Sequence, residues 1–235
     1  MSVVPFSCGN RLLDALPASE SADLDADLTI VGLKAHQATH SIGRAMTHVD
    51  FPIDAVLSVV ATLKNGITVE VGTVGSESFV ESEAALHSAV SSRTAFCQVQ
   101  GRVGRMSLER FEDRMETSAV FARYMRHNVR AVLFSAQQFT VCNVKHSIFQ
   151  RSARWFAMTA DRVGRPEFTL TPEFLAIMLG VRPEGVSDAA TALEQTGAIE
   201  YRRGVVKVLD RGVLERVACE CYNACKASFA TSLLR

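Results

Sequence analysis

Six cysteines and six histidines are the side chains of this 235-residue chain best suited to hold a soft metal, and their spacing decides whether they could. Cys219-x-Cys221-x-x-x-Cys225 is the densest group. On a helix, three residues at these offsets do not share one face, so buried structural thiols are expected and no metal is assigned. His36, His40, His48, His87, His127 and His146 form no recognised ligand spacing and read as surface residues. No nucleophile elbow, phosphate-cradling glycine loop or paired-carboxylate signature stands out, so no catalytic residue is named and an enzyme is not expected. The chemistry that does have a pattern is basic. Ile199-Glu-Tyr-Arg-Arg-Gly-Val-Val-Lys-Val-Leu209 reads as a hairpin turning at Arg203-Gly204, with Arg202, Arg203 and Lys207 placed to touch phosphates.

The charge distribution agrees. Residues 1–100 hold 5 Lys/Arg against 11 Asp/Glu, and residues 101–235 hold 20 against 14, so a neutral chain has a basic back half that a polyanion would meet. The scattered cysteines do not resemble a secreted disulfide framework, and reduced thiols are expected. Met1–Phe6 shows no basic leader, and no apolar run approaches the length of a membrane span; a soluble, cytoplasmic protein without membrane contact is the expectation.

These side chains need elements to position them. Asn10–Leu16 is a short helix candidate. Residues from about 28 to 105 are punctuated by Gly, and Ala55–Leu63 and Ile67–Val71 flank Lys64-Asn65-Gly66, a strong hairpin signal; a compact β-roll or barrel follows. Met106–Val163 contains neither Gly nor Pro and reads as long helices. Within it Phe121, Met125, Asn128, Val132, Ser135 and Phe139 recur at steps of four and three, a seam that would bury against a partner helix, with Asn128 fixing register. The alternative is that the stripe packs on the chain's own β-roll. Near Cys142–Ser147 the pattern lapses, a hinge after which Asn143 or Ser147 caps another helix.

Thr171-Pro172-Glu173 is a helix start, with a capping Thr, Pro at the first position and Glu complementing the dipole; Gly180 supplies a left-handed end. Pro183 opens a second helix that stops at Gly197. Ala176 is small where two helices would cross, and Leu175, Leu179, Val181, Val186 and Ala189 are apolar where the pair must face a core. Two short helices around a Gly-containing turn, followed by a basic wing, define a winged helix-turn-helix. Asp210 caps a last helix from Arg211.

With these residues in hand, nearly the whole chain resembles the Crp/Fnr family of bacterial transcription regulators, most strongly in Phe174-Leu-Ala-Ile-Met-Leu-Gly-Val181 and in Leu193–Leu209. The resemblance implies an α+β fold: an N-terminal β-roll of the cyclic-nucleotide-binding (jelly-roll) type over 1–106, a long dimerisation helix over 107–142 and a C-terminal winged helix-turn-helix over 143–235. It implies a homodimer on a pseudo-palindromic DNA operator, with RNA polymerase as a further partner. By position, Arg182, Pro183, Glu184, Ser187 and Asp188 fall at the exposed start of the recognition helix, with Thr171 counted in the same DNA-binding set. Glu184 matches the family's base-contacting Glu, which accepts from a cytosine amino group. Pro183 and Asp188 stand where the cyclic-AMP receptor protein has guanine-reading arginines, so the operator must differ and Arg182 is the candidate guanine reader.

In nucleotide-binding members a Gly-Glu pair holds ribose and an Arg-Ser/Thr-Ala holds the cyclic phosphate. Arg93-Thr94-Ala95 matches the second half, but Gly75-Ser76-Glu77 interrupts the first, so Gly75, Glu77, Arg93 and Thr94 mark an effector position without implying a cyclic nucleotide. The iron-sulfur branch needs clustered N-terminal cysteines where only Cys8 stands, so no cofactor is expected and the effector is unknown. The reading from a different class is a ligand-sensing or protein-interaction module whose winged domain no longer binds an operator.

Overall fold

The computed structural model describes residues 7–21 and 23–233; the segment Met1–Phe6 and the Glu173 side chain, both read above, lie outside the described residues. Three short helices, α1 (Arg11–Asp14), α2 (Ala18–Ser21) and α3 (Leu24–Asp27), precede a roll of seven antiparallel strands. The strands are β1 (Thr29–Leu33), β2 (Ala38–His40), β3 (His48–Pro52), β4 (Val56–Thr62), β5 (Thr68–Val74), β6 (Thr94–Val99) and β7 (Gly101–Ser107). They form two sheets in the orders β1-β7-β3 and β2-β6-β4-β5. Leu33, Leu57, Val74, Cys97 and Val103 belong to one buried cluster of the roll. The Asn-Gly hairpin stands where expected, with Gly66 at φ +84°.

The Gly- and Pro-free stretch yields α4 (Leu108–Thr117), α5 (Ala119–Lys145) and α6 (Ile148–Val163). The break at Ser118 is not visible as a Gly or Pro: its hydroxyl accepts from the Phe121 amide and starts α5. The hinge after Lys145 ends in a capping box, Ser147 with Gln150. Strand β8 (Glu167–Thr169) then leads into α7 (Pro172–Leu179), α8 (Pro183–Gln195), the hairpin β9 (Ile199–Arg202) and β10 (Val205–Val208), and two closing helices, α9 (Arg211–Val217) and α10 (Cys221–Ser232). The last helix expected from Arg211 is therefore two. Only α9, capped by Asp210, stays with the winged unit; α10 leaves it and packs back along α5.

The α5 seam is corrected by the packing. Phe121 and Met125 are fully buried in the chain's own core, where Phe121 meets Phe111 edge-on at 5.7 Å, Phe111 packs tilted on Phe79 and Phe79 stacks on Phe51. Asn128 sets no register with a second helix: its Nδ2 donates to the Glu77 carbonyl at 2.8 Å and its Oδ1 accepts from Ser78 Oγ at 2.5 Å, satisfying backbone and side chain of the roll. Val132, Ser135 and Phe139 line a cavity of about 460 Å³ between α5, the roll and Phe229 of α10. A four-three stripe states which face is buried and not against what, and here the partner is the β-roll.

Among the described residues no helix is long and apolar enough to cross a membrane. His40, read as a surface residue, is buried beside His48 at 4.5 Å between ring centres, and burial pushes its ring down to about 4.

Candidate nucleic-acid interface

The two helices of the winged unit are placed by local chemistry. Thr171 Oγ1 accepts from the Phe174 amide and Pro172 occupies the first position of α7. Gly180 closes the helix at φ +62°, where a side chain would be strained, and the Val181 amide donates to the Ala176 carbonyl at 3.0 Å. After this turn α8 opens at Pro183. Its N-cap, Arg182, makes no side-chain cap bond, as a guanidinium has no acceptor to offer, so the first-turn amides lack that partner.

Helix α8 buries Val186, Ala189, Ala190 and Leu193 and turns Arg182, Pro183, Glu184, Ser187 and Asp188 to solvent. The helix-turn-helix core continues into Leu175, Ala176, Leu179 and Phe156. Glu194 accepts the Tyr201 amide at 2.8 Å and the Tyr201 hydroxyl donates to the Leu170 carbonyl at 2.7 Å, which locks the wing beside the helix pair. The Leu170 amide donates to the Gly204 carbonyl at 2.7 Å, so the wing tip stands next to Thr171. The tip is the expected Arg203-Gly204, both with positive φ, the pairing that a two-residue hairpin turn requires.

The basic residues of the wing are not equivalent. Arg202 pairs with Glu200 at 2.8 Å, and Lys207 lies opposite Glu200 and Glu167 in strand register. Arg203, exposed at the tip, has no ion pair among the described residues. The surface thus offers Arg203 and Lys207 on the wing without an ion pair among the described residues and Arg182 at the helix start, together with the exposed acidic Glu184 and Asp188 of α8.

The winged unit also rests on the roll. Met178 of α7 meets Ser58 at 3.3 Å, Phe174 meets Phe96 edge-on, and Arg162 of α6 is buried against Glu77 at 2.7 Å while donating to Thr73. Glu77 is therefore occupied from within the chain. Gly75 lies against the same arginine, where a Cβ would collide with the Arg162 side chain. Thr94 accepts the Ile42 amide at 3.3 Å, and the exposed Arg93 donates to the Ser92 carbonyl. Arg93 lines the 460 Å³ cavity and Glu77 does not, so the four effector-position residues are not brought together. Sequence reasoning missed Arg162, whose run of neighbours carries no motif.

Residues 150–217 match the family model of the Crp-like helix-turn-helix domain. The fold is that of the Crp/Fnr transcription regulators. A Crp-family regulator from Thermus thermophilus, TTHB099, is 19% identical and superposes over 80% of this chain and 96% of its own, with a TM-score of 0.64. FixK2 from Bradyrhizobium japonicum is 13% identical over 82% and 98%, also at 0.64. A regulator described as Crp/Fnr-family from Eubacterium rectale is 16% identical over 88% and 96%, at 0.62. No curated protein matches the sequence. Roll, long helix and winged unit thus follow the Crp/Fnr order, and the helix-turn-helix residues read from Pro and Gly signals fall inside the matched domain.

Proposed function

We propose that this chain is a sequence-specific DNA-binding transcription regulator that acts as a homodimer. The observation that carries the reading is the exposure of Glu184, Ser187 and Asp188 on the outer side of α8, with Arg182 exposed at its N-cap and Arg203 exposed at the wing tip. That face fits a major groove, with the wing over the neighbouring backbone.

The dimer face differs from the one expected. Arg130, Phe134, Gln137, Val141 and Val144 run down the outside of α5 at steps of four, three, four and three, flanked by Leu133. Val144 is 74% exposed, Leu133 58% and Val141 53%. The exposed apolar Leu133, Phe134, Val141 and Val144, with Arg130 and Gln137 completing the four-three spacing, make the surface a second copy would cover. The other partners we assign are operator DNA and RNA polymerase. The cavity lined by Arg93, Val132, Ser135, Phe139 and Arg162 is the place for an effector; Glu77 does not line it and is paired with Arg162, and we assign no cyclic nucleotide to it.

Selection from random duplexes with the full chain, followed by a salt titration on the winner, tests this reading. A two-fold-related site whose affinity falls steeply with salt is expected. Failure to enrich any sequence would support a docking module in its place.

A further inference from the structure

The three cysteines of the C-terminal segment do not act as a set. Cys225 belongs to the core beneath α6, whereas Cys219 and Cys221 turn toward the end of α5 and meet Cys142 and His146. All four ligand atoms lie within 4.8 Å of one another. Cys142 Sγ is 3.5 Å from Cys219 Sγ, and Cys221 Sγ is 3.6 Å from His146 Nδ1. A tetrahedral zinc ion with metal–sulfur bonds of about 2.3 Å and metal–nitrogen bonds of about 2.0–2.1 Å sets its donors roughly 3.5–3.8 Å apart. The two short separations already have that value.

The surroundings point the same way. His146 Nε2 faces a Glu220 carboxylate oxygen at 3.1 Å, the carboxylate-histidine arrangement that fixes the tautomer of a ligating imidazole and leaves Nδ1 to face the sulfurs. Gln138 Nε2 donates to Cys221 Sγ at 3.1 Å. Arg151 and Arg154 are buried nearby, and neither forms an ion pair with a carboxylate among the described residues: Arg154 lies over the Phe139 ring, and the Nε of each has no acceptor there. Buried cations without anions are costly, and a divalent ion with three thiolates and a neutral imidazole carries one net negative charge that would offset them. The donors are too close together to surround an iron-sulfur cluster, which leaves room for a single ion.

We infer that Cys142, His146, Cys219 and Cys221 form a zinc-class metal site that clasps the C-terminal end of α5 to the junction of α9 and α10. On binding, three S–H bonds break, their protons go to solvent, and three thiolates and the imidazole lone pair form four coordinate bonds with no change of oxidation state. The ligands span the hinge side of α5 and the segment leaving the winged unit, so the ion would fix α10 along α5 and hold the hinge at 146–147. This inference does not depend on DNA binding, since a chain with no operator would carry the same site.

Metal content of the full chain, purified without chelator under anaerobic conditions, is the test, together with titration of the demetallated chain by cobalt(II). One zinc per chain is expected, and cobalt should give the thiolate-to-metal charge-transfer absorption and strong visible bands of a tetrahedral thiolate site. Cys219→Ser and Cys221→Ser should each abolish stoichiometric binding, Glu220→Gln should weaken it by about 10–100-fold, and Cys97→Ser and Cys225→Ser should leave it intact. Circular dichroism of each variant checks that it folds, and the cobalt spectrum of Glu220→Gln, an exposed and mild change, tests the site without that concern. Substoichiometric zinc with no cobalt signature would overturn the inference. So would a Cys142–Cys219 disulfide in the freshly isolated chain, or cobalt bands unchanged in Cys219→Ser and Cys221→Ser.

Discussion

Removing Arg162 tests how the winged unit is held to the roll. Its guanidinium and the Glu77 carboxylate are 4% and 6% exposed and 2.7 Å apart, and Arg162 reaches Thr73 as well. Arg162→Met keeps most of the side-chain volume while stranding a buried carboxylate, an arrangement that costs about 3–5 kcal/mol. In a chain of this length each kcal/mol moves the unfolding midpoint by about 2–4 °C, so a drop of roughly 6–20 °C is expected. Arg162→Met with Glu77→Gln removes the stranded charge and should recover most of the loss, giving a large coupling in the double-mutant cycle. Calorimetry and urea unfolding measure the cycle. Hydrogen exchange should show new opening at α7 and β5 in the single variant, because that contact shares the interface. A single-variant loss under about 1 kcal/mol, or no recovery in the double variant, would refute the claim that this pair joins the two units.

Phe121→Ala should cost about 3–5 kcal/mol in urea unfolding without changing the oligomeric state, because Phe121 packs on Phe111 inside one chain. Phe134→Glu should convert a dimer to monomers in sedimentation velocity while leaving the unfolding of the monomer nearly unchanged. Burial pushes the Glu70 carboxyl up to about 7, despite the Ser58 hydroxyl that donates to it and the nearby charges of Arg162 and Arg154. Its folded form holds the proton more tightly than the unfolded chain, so its stabilising share is present below about pH 4.5 and is lost as pH rises through 7; Glu70→Gln should flatten the stability profile across that window.

Elements punctuated by Pro and Gly were legible because the signal is local. Thr171-Pro172, Gly180, Pro183, Arg203-Gly204 and Asp210 each act on their own turn, and the wing and helix pair follow wherever the rest of the chain goes. The Asn65-Gly66 hairpin is legible for the same reason. What the sequence left open is what depends on partners distant in the chain. The stripe from Phe121 to Phe139 identifies a buried face, but α5 carries a second stripe from Arg130 to Val144, and only packing tells which one meets the roll. Glu77 was placed at an effector position, in an interrupted Gly-Glu pair, by order along the chain, while its actual partner comes from residue 162. The cysteine cluster was missed because two of its members, Cys142 and His146, are one helical turn apart at the end of α5 and join Cys219 and Cys221 only when α10 folds back.

The most direct measurement is to repeat the random-duplex selection with two variants and compare base preferences with the unaltered chain. Arg182→Ala should relax preference at one position, repeated symmetrically in both half-sites, at a cost of about 1–3 kcal/mol per half-site, whereas Arg203→Ala should weaken all sequences alike and lower the salt slope by about two, one phosphate contact in each half-site. An unchanged preference in Arg182→Ala, or a new preference in Arg203→Ala, would mean that α8 does not read the groove.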